Sequence, residues 1–129
     1  MGLFIDSNIL VAAVSGEEDR SESARDLLDS DFEIFTSLLN VMEFRTVMTK
    51  KKGFELPEVR KIEKEIVDSL EVIIPDSSDF IDANKSQLEN LLYPLDCLLL
   101  SIADDRDLTL VTFDSELVDK GAKNPGDVV

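Results

Sequence analysis

The sequence predicts an α/β protein, a single-domain three-layer α/β/α sandwich with a mostly parallel central sheet. Short apolar runs typical of buried strands alternate with longer segments of helical periodicity, which is the order found in parallel α/β folds. The length of 129 residues suits one domain, which we place at residues 1–129. The hydrophobic fraction of 43% is that of a globular protein, so a core is expected despite a high acidic content.

Four apolar runs have the length and composition of buried parallel strands. The first run stops at Asp6, the second at Thr36 and Ser37, and the third at Pro75. The last is rich in β-branched residues, which favour strands. In chain order the predicted strands are residues 3–5, 32–35, 71–74 and 108–112.

Helices are predicted between these runs from periodic apolar positions and from residues that favour helix ends. Ser7 is suited to cap the first helix, and three lysines followed by Gly53 are a good C-terminal signal for the third. In chain order, the first predicted helix begins at Ser7, and the next three span residues 17–30, 38–50 and 57–70. The fifth runs from a cap at 76–78 to about residue 92, the sixth begins at Pro94, and the seventh lies around Leu117.

The composition excludes several classes of site. The chain has no histidine, so a Ser-His-Asp triad, a Cys-His pair, a ribonuclease based on paired histidines and a His-Glu-x-x-His zinc site cannot be formed. The single cysteine, Cys97, excludes an intramolecular disulfide framework and favours a reducing compartment. We expect a cytoplasmic protein, because no apolar run approaches the roughly 20 residues of a membrane span and no signal peptide is recognisable.

The net charge of −15, from 28 acidic and 13 basic residues, has two interpretations. An acidic, aspartate-rich surface is favoured in a high-salt cytoplasm, where self-repulsion is screened. Alternatively, the protein is an ordinary acidic protein with a basic partner. Either way the charge disfavours casual binding to nucleic acid, because phosphates attract basic surfaces.

Four acidic residues differ from the others in their positions. Asp6 follows the first strand and Asp114 follows the last, so both are expected at the carboxyl edge of a parallel sheet, where such sheets bind ligands. Glu43 borders the apolar side of its helix, and Asp96 begins an almost wholly apolar helical stripe. Each alone is explained as a helix cap or a paired charge. Together they are harder to explain in this way, since no matching set of buried cations is evident.

A divalent cation resolves the repulsion between clustered carboxylates. Mg²⁺ and Mn²⁺ prefer oxygen ligands, and they activate water and stabilise leaving oxygens without any histidine. This chemistry points to phosphodiester hydrolysis rather than to acyl transfer.

Four segments in this order resemble the PIN-domain ribonucleases, especially toxins of the VapC type. The segments are Phe4-Ile5-Asp6-Ser7-Asn8-Ile9-Leu10, Val41-Met42-Glu43-Phe44-Arg45, Leu95-Asp96-Cys97 and Leu110-Val111-Thr112-Phe113-Asp114. The resemblance covers essentially the whole chain and implies a PIN-like sandwich, Mg²⁺- or Mn²⁺-dependent RNA cleavage, and often a dimer bound to a small antitoxin. The chain departs from the usual pattern at Leu117, where many relatives have Phe, and at Asp107-Leu108, where a glycine is common.

The resemblance also implies roles for individual residues. The acidic catalytic pocket would be formed by Asp6, Glu43, Asp96 and Asp114. Asp6, Asp96 and Asp114 would be metal ligands, whereas Glu43 would hold metal-bound water or act as a base. Asn8 and Thr112 would support these ligands from behind.

Two other functions stay open on the sequence alone. One is a PIN scaffold that binds a partner without cutting RNA, and the other is an aspartate phosphoacceptor domain, which also has an Asp after its first strand. The latter is disfavoured because Asp6-Ser7-Asn8 lacks a second aspartate and Glu43 falls within a helix. Lys50-Lys51-Lys52 with Arg45 could steer RNA, although cations at a helix C-terminus are better explained by the helix dipole. Cys97 is expected to be a small core residue.

Overall fold

The computed structural model describes residues 2–129 and confirms the predicted α/β class. Four strands form one sheet in the order β3-β2-β1-β4, and every neighbouring pair is parallel. The strands are β1 (Gly2–Ile5), β2 (Glu33–Ser37), β3 (Glu71–Ile73) and β4 (Thr109–Val111).

Helices follow each strand, as the alternating pattern predicts. They are α1 (Ser7–Ser15), α2 (Ser21–Leu28), α3 (Leu38–Lys50), α4 (Leu56–Ser69), α5 (Ser77–Asn90), α6 (Pro94–Asp105) and α7 (Ser115–Val118). A short 3₁₀ helix, Pro125–Asp127, was not predicted.

Alternation along β1 divides the core into two layers, one on each side of the sheet. Leu3 and Ile5 pack with buried residues of α1 to α4 in one cluster, which we call the first core. Phe4 points to the opposite face and packs with α5, α6 and α7 in the second core. The sheet is therefore covered on both faces, which confirms the three-layer α/β/α sandwich.

The observed helix ends correct two details of the prediction. Asp6, not Ser7, is the N-cap of α1, because its side chain accepts the Ser7 N–H. α2 begins at Ser21 rather than at residue 17, since Gly16 ends α1 with φ of 71° and residues 17–20 form a turn instead.

Asp107 adopts φ of 55°, so the position where relatives commonly have glycine does have a left-handed backbone.

Within residues 2–129, no helix combines the length and the apolar composition that crossing a membrane requires.

Candidate functional site

The register of β1 and β4 brings the two strand-end aspartates to one edge of the sheet. Ile5 is paired with Val111, and the Asp6 N–H donates to the Val111 carbonyl at 3.1 Å. Because the strands are parallel and in register, the residues that follow both of them leave the sheet side by side. Asp6 and Asp114 therefore lie at the carboxyl edge, as the sequence predicts.

A hydrogen-bond network centred on Thr112 joins these chain segments. The Thr112 hydroxyl donates to Asp6 Oδ2 at 2.9 Å and accepts from the Asn8 side chain and the Asp114 N–H, each at 3.0 Å. Asn8 Oδ1 in turn accepts from the Phe113 N–H at 3.3 Å. Thr112 thus contacts a candidate ligand directly, whereas Asn8 acts through Thr112 and the backbone.

Asp6 and Asp114 also cap helices, as the simpler interpretation of each required. Asp6 Oδ1 accepts from the Ser7 N–H at 2.7 Å, and Asp114 Oδ1 accepts from the Glu116 N–H at 2.9 Å. Each cap orients one carboxyl oxygen toward a helix and fixes the side chain. Capping and a role at the site are therefore compatible for both residues.

Glu43 and Asp96 come from helices on opposite faces of the sheet. Glu43 lies in the second turn of α3, which starts directly after β2, and Asp96 lies in the first turn of α6. Asp96 is half-buried, whereas Glu43 is exposed although it borders the apolar side of its helix. The apolar neighbours of Glu43 on the helix do not cover it because it lies at the edge of that face.

The pKa shifts of Asp6, Glu43 and Asp96 each include repulsion from other carboxylates of the candidate site. Burial raises the pKa of Asp6, hydrogen bonds from Thr112 and Ser7 oppose the rise, and the charge of Asp114 adds to it. Desolvation of the Glu43 carboxylate and the charge of Asp6 raise the pKa of Glu43. A hydrogen bond from Ser7 and the charge of Lys51 lower it.

Asp96 is the most strongly perturbed of the four residues. Desolvation raises the pKa of Asp96 to about 6, together with the charges of Asp114, Asp6, Glu116 and Glu43. A position near a helix N-terminus ordinarily favours the charged carboxylate. Burial and the neighbouring negative charges act in the opposite direction at this position.

No basic residue of the described chain forms an ion pair with this cluster. Within residues 2–129, no Lys or Arg nitrogen lies within 4.0 Å of Asp6, Glu43, Asp96 or Asp114. Asp79 on α5 provides a contrast, because its fully buried carboxylate binds Arg106 through two hydrogen bonds of 2.8 and 3.0 Å. The hydrogen bond from Arg106 holds the pKa of Asp79 below its ordinary value.

Three residues escaped the sequence analysis. Asp79 is a buried acid that was counted with the surface acids, and only its pairing with Arg106 across the fold explains its burial. Ser7 was considered only as a cap, although it contacts Asp6 and influences Glu43. Glu116, two residues after Asp114, contributes to the field at Asp96. Its place in the first turn of α7, the helix that Asp114 caps, was the available signal.

Two of the four basic residues considered for RNA steering have acidic partners within the protein. Arg45 binds Glu63 at 2.6 Å, and Lys52 lies 3.3 Å from Glu17. These two pairs favour a structural role for Arg45 and Lys52 over RNA steering. Cys97 is fully buried and is part of the second core, as expected.

The side chains do not form a complete metal-binding shell by themselves. In the part of the chain from residue 2 to residue 129, no three acidic or cysteine side chains are grouped so that they could hold one ion directly. The carboxylate oxygens repel one another and have no basic ion-pair partner among the described residues. These properties nevertheless fit a hard divalent ion that is bound partly through water.

Comparisons with known proteins agree with this architecture. The family model described as PIN domain matches residues 3–123. No curated protein matches the chain in sequence.

Several solved structures share the fold over nearly their whole lengths. A toxin–antitoxin complex from Klebsiella pneumoniae is 19% identical, with a TM-score of 0.78 and coverage of 95% of this chain and 97% of that one. VapC20 from Mycobacterium tuberculosis, a toxin that cleaves the sarcin-ricin loop, is 16% identical, with a TM-score of 0.78 and coverage of 93% and 95%. FitAcB from Neisseria gonorrhoeae is 17% identical, with a TM-score of 0.73 and coverage of 98% and 99%.

Proposed function

The chain belongs to the PIN-domain family, and we propose that it is a Mg²⁺- or Mn²⁺-dependent endoribonuclease that hydrolyses RNA phosphodiester bonds. The observation that carries the proposal is a set of four carboxylates that are linked by electrostatic repulsion and form no ion pair with Lys or Arg within residues 2–129. A polar network that fixes one of the four, Asp6, supports the same function. We expect residues 1–129 to act as one nuclease domain in the cytoplasm, for the compositional reasons given above.

The candidate metal ligands are Asp6, Asp96 and Asp114. Because no three side chains are grouped to hold an ion directly within residues 2–129, one or two carboxylates and several waters would complete the shell, as is usual for Mg²⁺. A bound ion would supply an acidified water and stabilise the leaving oxygen of the phosphodiester.

The protein side chains would orient the reactants and accept a proton. Asp6 is held by Thr112 and Ser7, so its carboxylate is fixed before substrate arrives. Glu43 is exposed and has a raised pKa, and these properties suit a general base whose carboxylate oxygen takes a proton from the attacking water.

We further propose that the protein is the toxin of a toxin–antitoxin pair and forms a homodimer. Solved structures with this fold include the Klebsiella complex and FitAcB, and a small basic antitoxin would complement a charge of −15. Large apolar side chains on α5 and in the α5–α6 connection support self-association, since they are more than half exposed: Phe80, Leu88, Leu91 and Tyr93. A monomer mass in sedimentation at micromolar concentration contradicts the dimer.

The nuclease is tested by incubating an RNA pool with the protein and Mn²⁺. The wild-type chain is expected to cleave it, and Asp96→Asn or Asp6→Asn is expected to reduce the rate at least a hundredfold, the usual effect of losing a group that supports the reaction. Mn²⁺ should also raise the melting temperature of the wild-type chain. At a free Mn²⁺ concentration of 100 times Kd, binding adds about 2.7 kcal/mol to the free energy of unfolding. Asp96→Asn should reduce that shift.

Asp104→Asn is the matched control, because it makes the same change at the exposed, opposite end of α6. It should cleave RNA and respond to Mn²⁺ like the wild type. Unimpaired cleavage by Asp96→Asn would show that the site is wrongly assigned. A folded wild-type protein that cleaves no RNA in Mn²⁺ would favour a scaffold that only binds.

A further inference from the structure

Arg20 lies beside the carboxyl edge of the sheet, where it contacts Phe113. Its guanidinium carbon lies 4.8 Å from the centre of the Phe113 ring, a cation–π arrangement. Phe113 stands between Thr112, which binds Asp6, and Asp114 in the chain. A cation is thereby placed against the residue that separates two members of the site.

Both partners of this contact are held firmly. The Phe113 N–H donates to Asn8 Oδ1 at 3.3 Å, and its half-buried ring packs against the first core. The Arg20 carbonyl accepts from the Ala24 N–H at 3.0 Å and from the Ser23 hydroxyl at 3.2 Å. The guanidinium therefore extends from a fixed backbone onto a fixed aromatic face.

Arg20 has no carboxylate partner in the part of the chain that the structure describes. Among residues 2–129, the ion pairs within 4.0 Å involve Arg45, Lys52 and Arg106 instead. In a protein with 28 acidic and 13 basic residues, an exposed arginine without an acid is available for an external anion. The planar guanidinium binds phosphate through two parallel hydrogen bonds, which a lysine does not reproduce.

We propose that Arg20, supported by Phe113, binds a backbone phosphate of the RNA next to the carboxylate pocket. The inference rests on the proposed ribonuclease function and adds a substrate-binding residue to it. Such a contact gives a polyanion a local point of attraction where the four carboxylates repel it. Stacking on Phe113 restricts the guanidinium before binding, which lowers the entropy cost of the contact.

The experiment measures binding of a fluorescein-labelled, random 20-nucleotide RNA pool by anisotropy in Mn²⁺. All proteins carry Asp96→Asn so that the RNA stays intact, and Kd is measured across a range of KCl concentrations. Arg20→Gln is expected to weaken binding about tenfold, as losing one charge-assisted contact does. It should also reduce the slope of log Kd against log salt by about 0.7, the value of one phosphate contact on a single strand.

Three variants separate phosphate binding from other roles of Arg20. Arg60→Gln on α4 makes the same charge change at an exposed position and should leave both quantities unchanged. Arg20→Lys should keep the salt slope but lose affinity severalfold, because the charge remains and the planar donor pair is lost. Phe113→Leu should also keep the slope and lose affinity, because it removes only the aromatic support.

The outcomes distinguish this inference from the proposed function. If Arg20→Gln matches Arg60→Gln in Kd and in salt slope while the wild-type chain cleaves RNA, Arg20 only supports Phe113 and the inference is overturned alone. If neither the Asp96→Asn protein nor the wild-type chain binds RNA and the wild-type chain cleaves none, the ribonuclease proposal fails and this inference fails with it. Melting temperatures of all variants verify that they are folded.

Discussion

The two buried aspartates of this protein have opposite electrostatic surroundings. Among residues 2–129, Asp6 and Asp79 are the acidic residues that are buried. Asp79 has a guanidinium partner that lowers its pKa, whereas the pKa of Asp6 is raised by burial that no cation offsets. A buried charge that lacks an ion-pair partner lowers stability, and such costly groups cluster at functional sites.

Asp96 gives the clearest stability test of this contrast. Its pKa is about 6 in the folded chain against 3.8 ordinarily, so stability from this group is complete below pH 4 and is lost as the pH rises through 6. Without metal, Asp96→Asn should therefore be more stable than the wild type at pH 7.5. The full shift corresponds to roughly 3 kcal/mol, which solvent screening of a half-exposed carboxyl reduces to about 1 kcal/mol.

The measurement is urea denaturation in EDTA at pH 4, 6 and 7.5. Asp79→Asn is the control, because it should change the free energy of unfolding in the opposite direction. Asp79→Asn should lose about 3 kcal/mol at neutral pH, because it breaks a buried charge pair. Its penalty should shrink as the pH falls through the lowered pKa of Asp79. A metal-free Asp96→Asn protein that is less stable than the wild type at pH 7.5 would show that the carboxylates are not in mutual repulsion.

At the residue scale, the sequence identifies acids by their position in an element but not by their partners. Asp6 and Asp114 could be predicted because strand ends of a parallel sheet share an edge. The pairing of Asp79 with Arg106 could not, because these residues lie 27 positions apart and meet only when α5 packs on α6. For the same reason the exposure of Glu43 depends on how the helices pack.

At the element scale, the end of β1 is fixed by side chains of β2 and α3. The Ile5 carbonyl, directly before Asp6, accepts from the Thr36 hydroxyl at 2.9 Å and from Asn40 Nδ2 at 3.1 Å. Both side chains are fully buried, and among residues 2–129 Asn40 Oδ1 is the one buried side-chain polar atom without a partner. This cluster joins three elements at the point where the chain turns into the site.

Replacing Thr36 by Val tests this junction. The variant keeps the β-branched shape but removes one donor to Ile5 and the acceptor for Asn40 Nδ2 at 3.3 Å. We expect a loss of about 1–3 kcal/mol in the free energy of unfolding, the cost of leaving buried polar groups unpaired. Urea denaturation with an unchanged m-value measures it.

Thr46→Val is the matched control, since Thr46 is an exposed residue of α3 whose hydroxyl bonds only within the helix. It should change stability by less than about 0.5 kcal/mol. Equal stabilities of the two variants would mean that the Thr36 and Asn40 bonds to Ile5 contribute nothing to the fold.

The order and type of the main elements could be predicted because their signals are local. The bounds of α3 are those predicted. Its start is marked by the end of β2 and the Ser37 cap, and its end by the lysines that precede Gly53. The start of α2 could not be predicted, because the left-handed Gly16 and the following turn replace a regular helix start. The 3₁₀ helix near the C-terminus is too short to leave a periodic pattern.

At the scale of the whole molecule, nearly all of the negative charge lies at the surface. Only two acidic residues among residues 2–129 are buried, Asp6 in the candidate site and Asp79 outside it. The other three acids of the site are half-buried or exposed. The remaining excess repels RNA over the distance that salt permits, about 10 Å at 0.1 M and 3 Å at 1 M. A bound metal ion and Arg20 would act only locally, so we expect the ionic strength to govern the approach of RNA.

Cleavage at fixed Mn²⁺ should therefore be at least as fast in 1 M KCl as in 0.1 M KCl. Salt weakens the single phosphate contact of Arg20 by about fivefold over this range, whereas screening of a charge of −15 favours encounter by about tenfold or more. A control with Glu58→Lys, Glu65→Lys and Asp68→Lys on exposed positions of α4 changes the net charge from −15 to −9, since each reversal adds two charges. Because repulsion is then weaker at low salt, this variant should gain less from KCl than the wild type. Wild-type activity confined to low salt would mean that an attraction to RNA, and not the surface repulsion, dominates encounter.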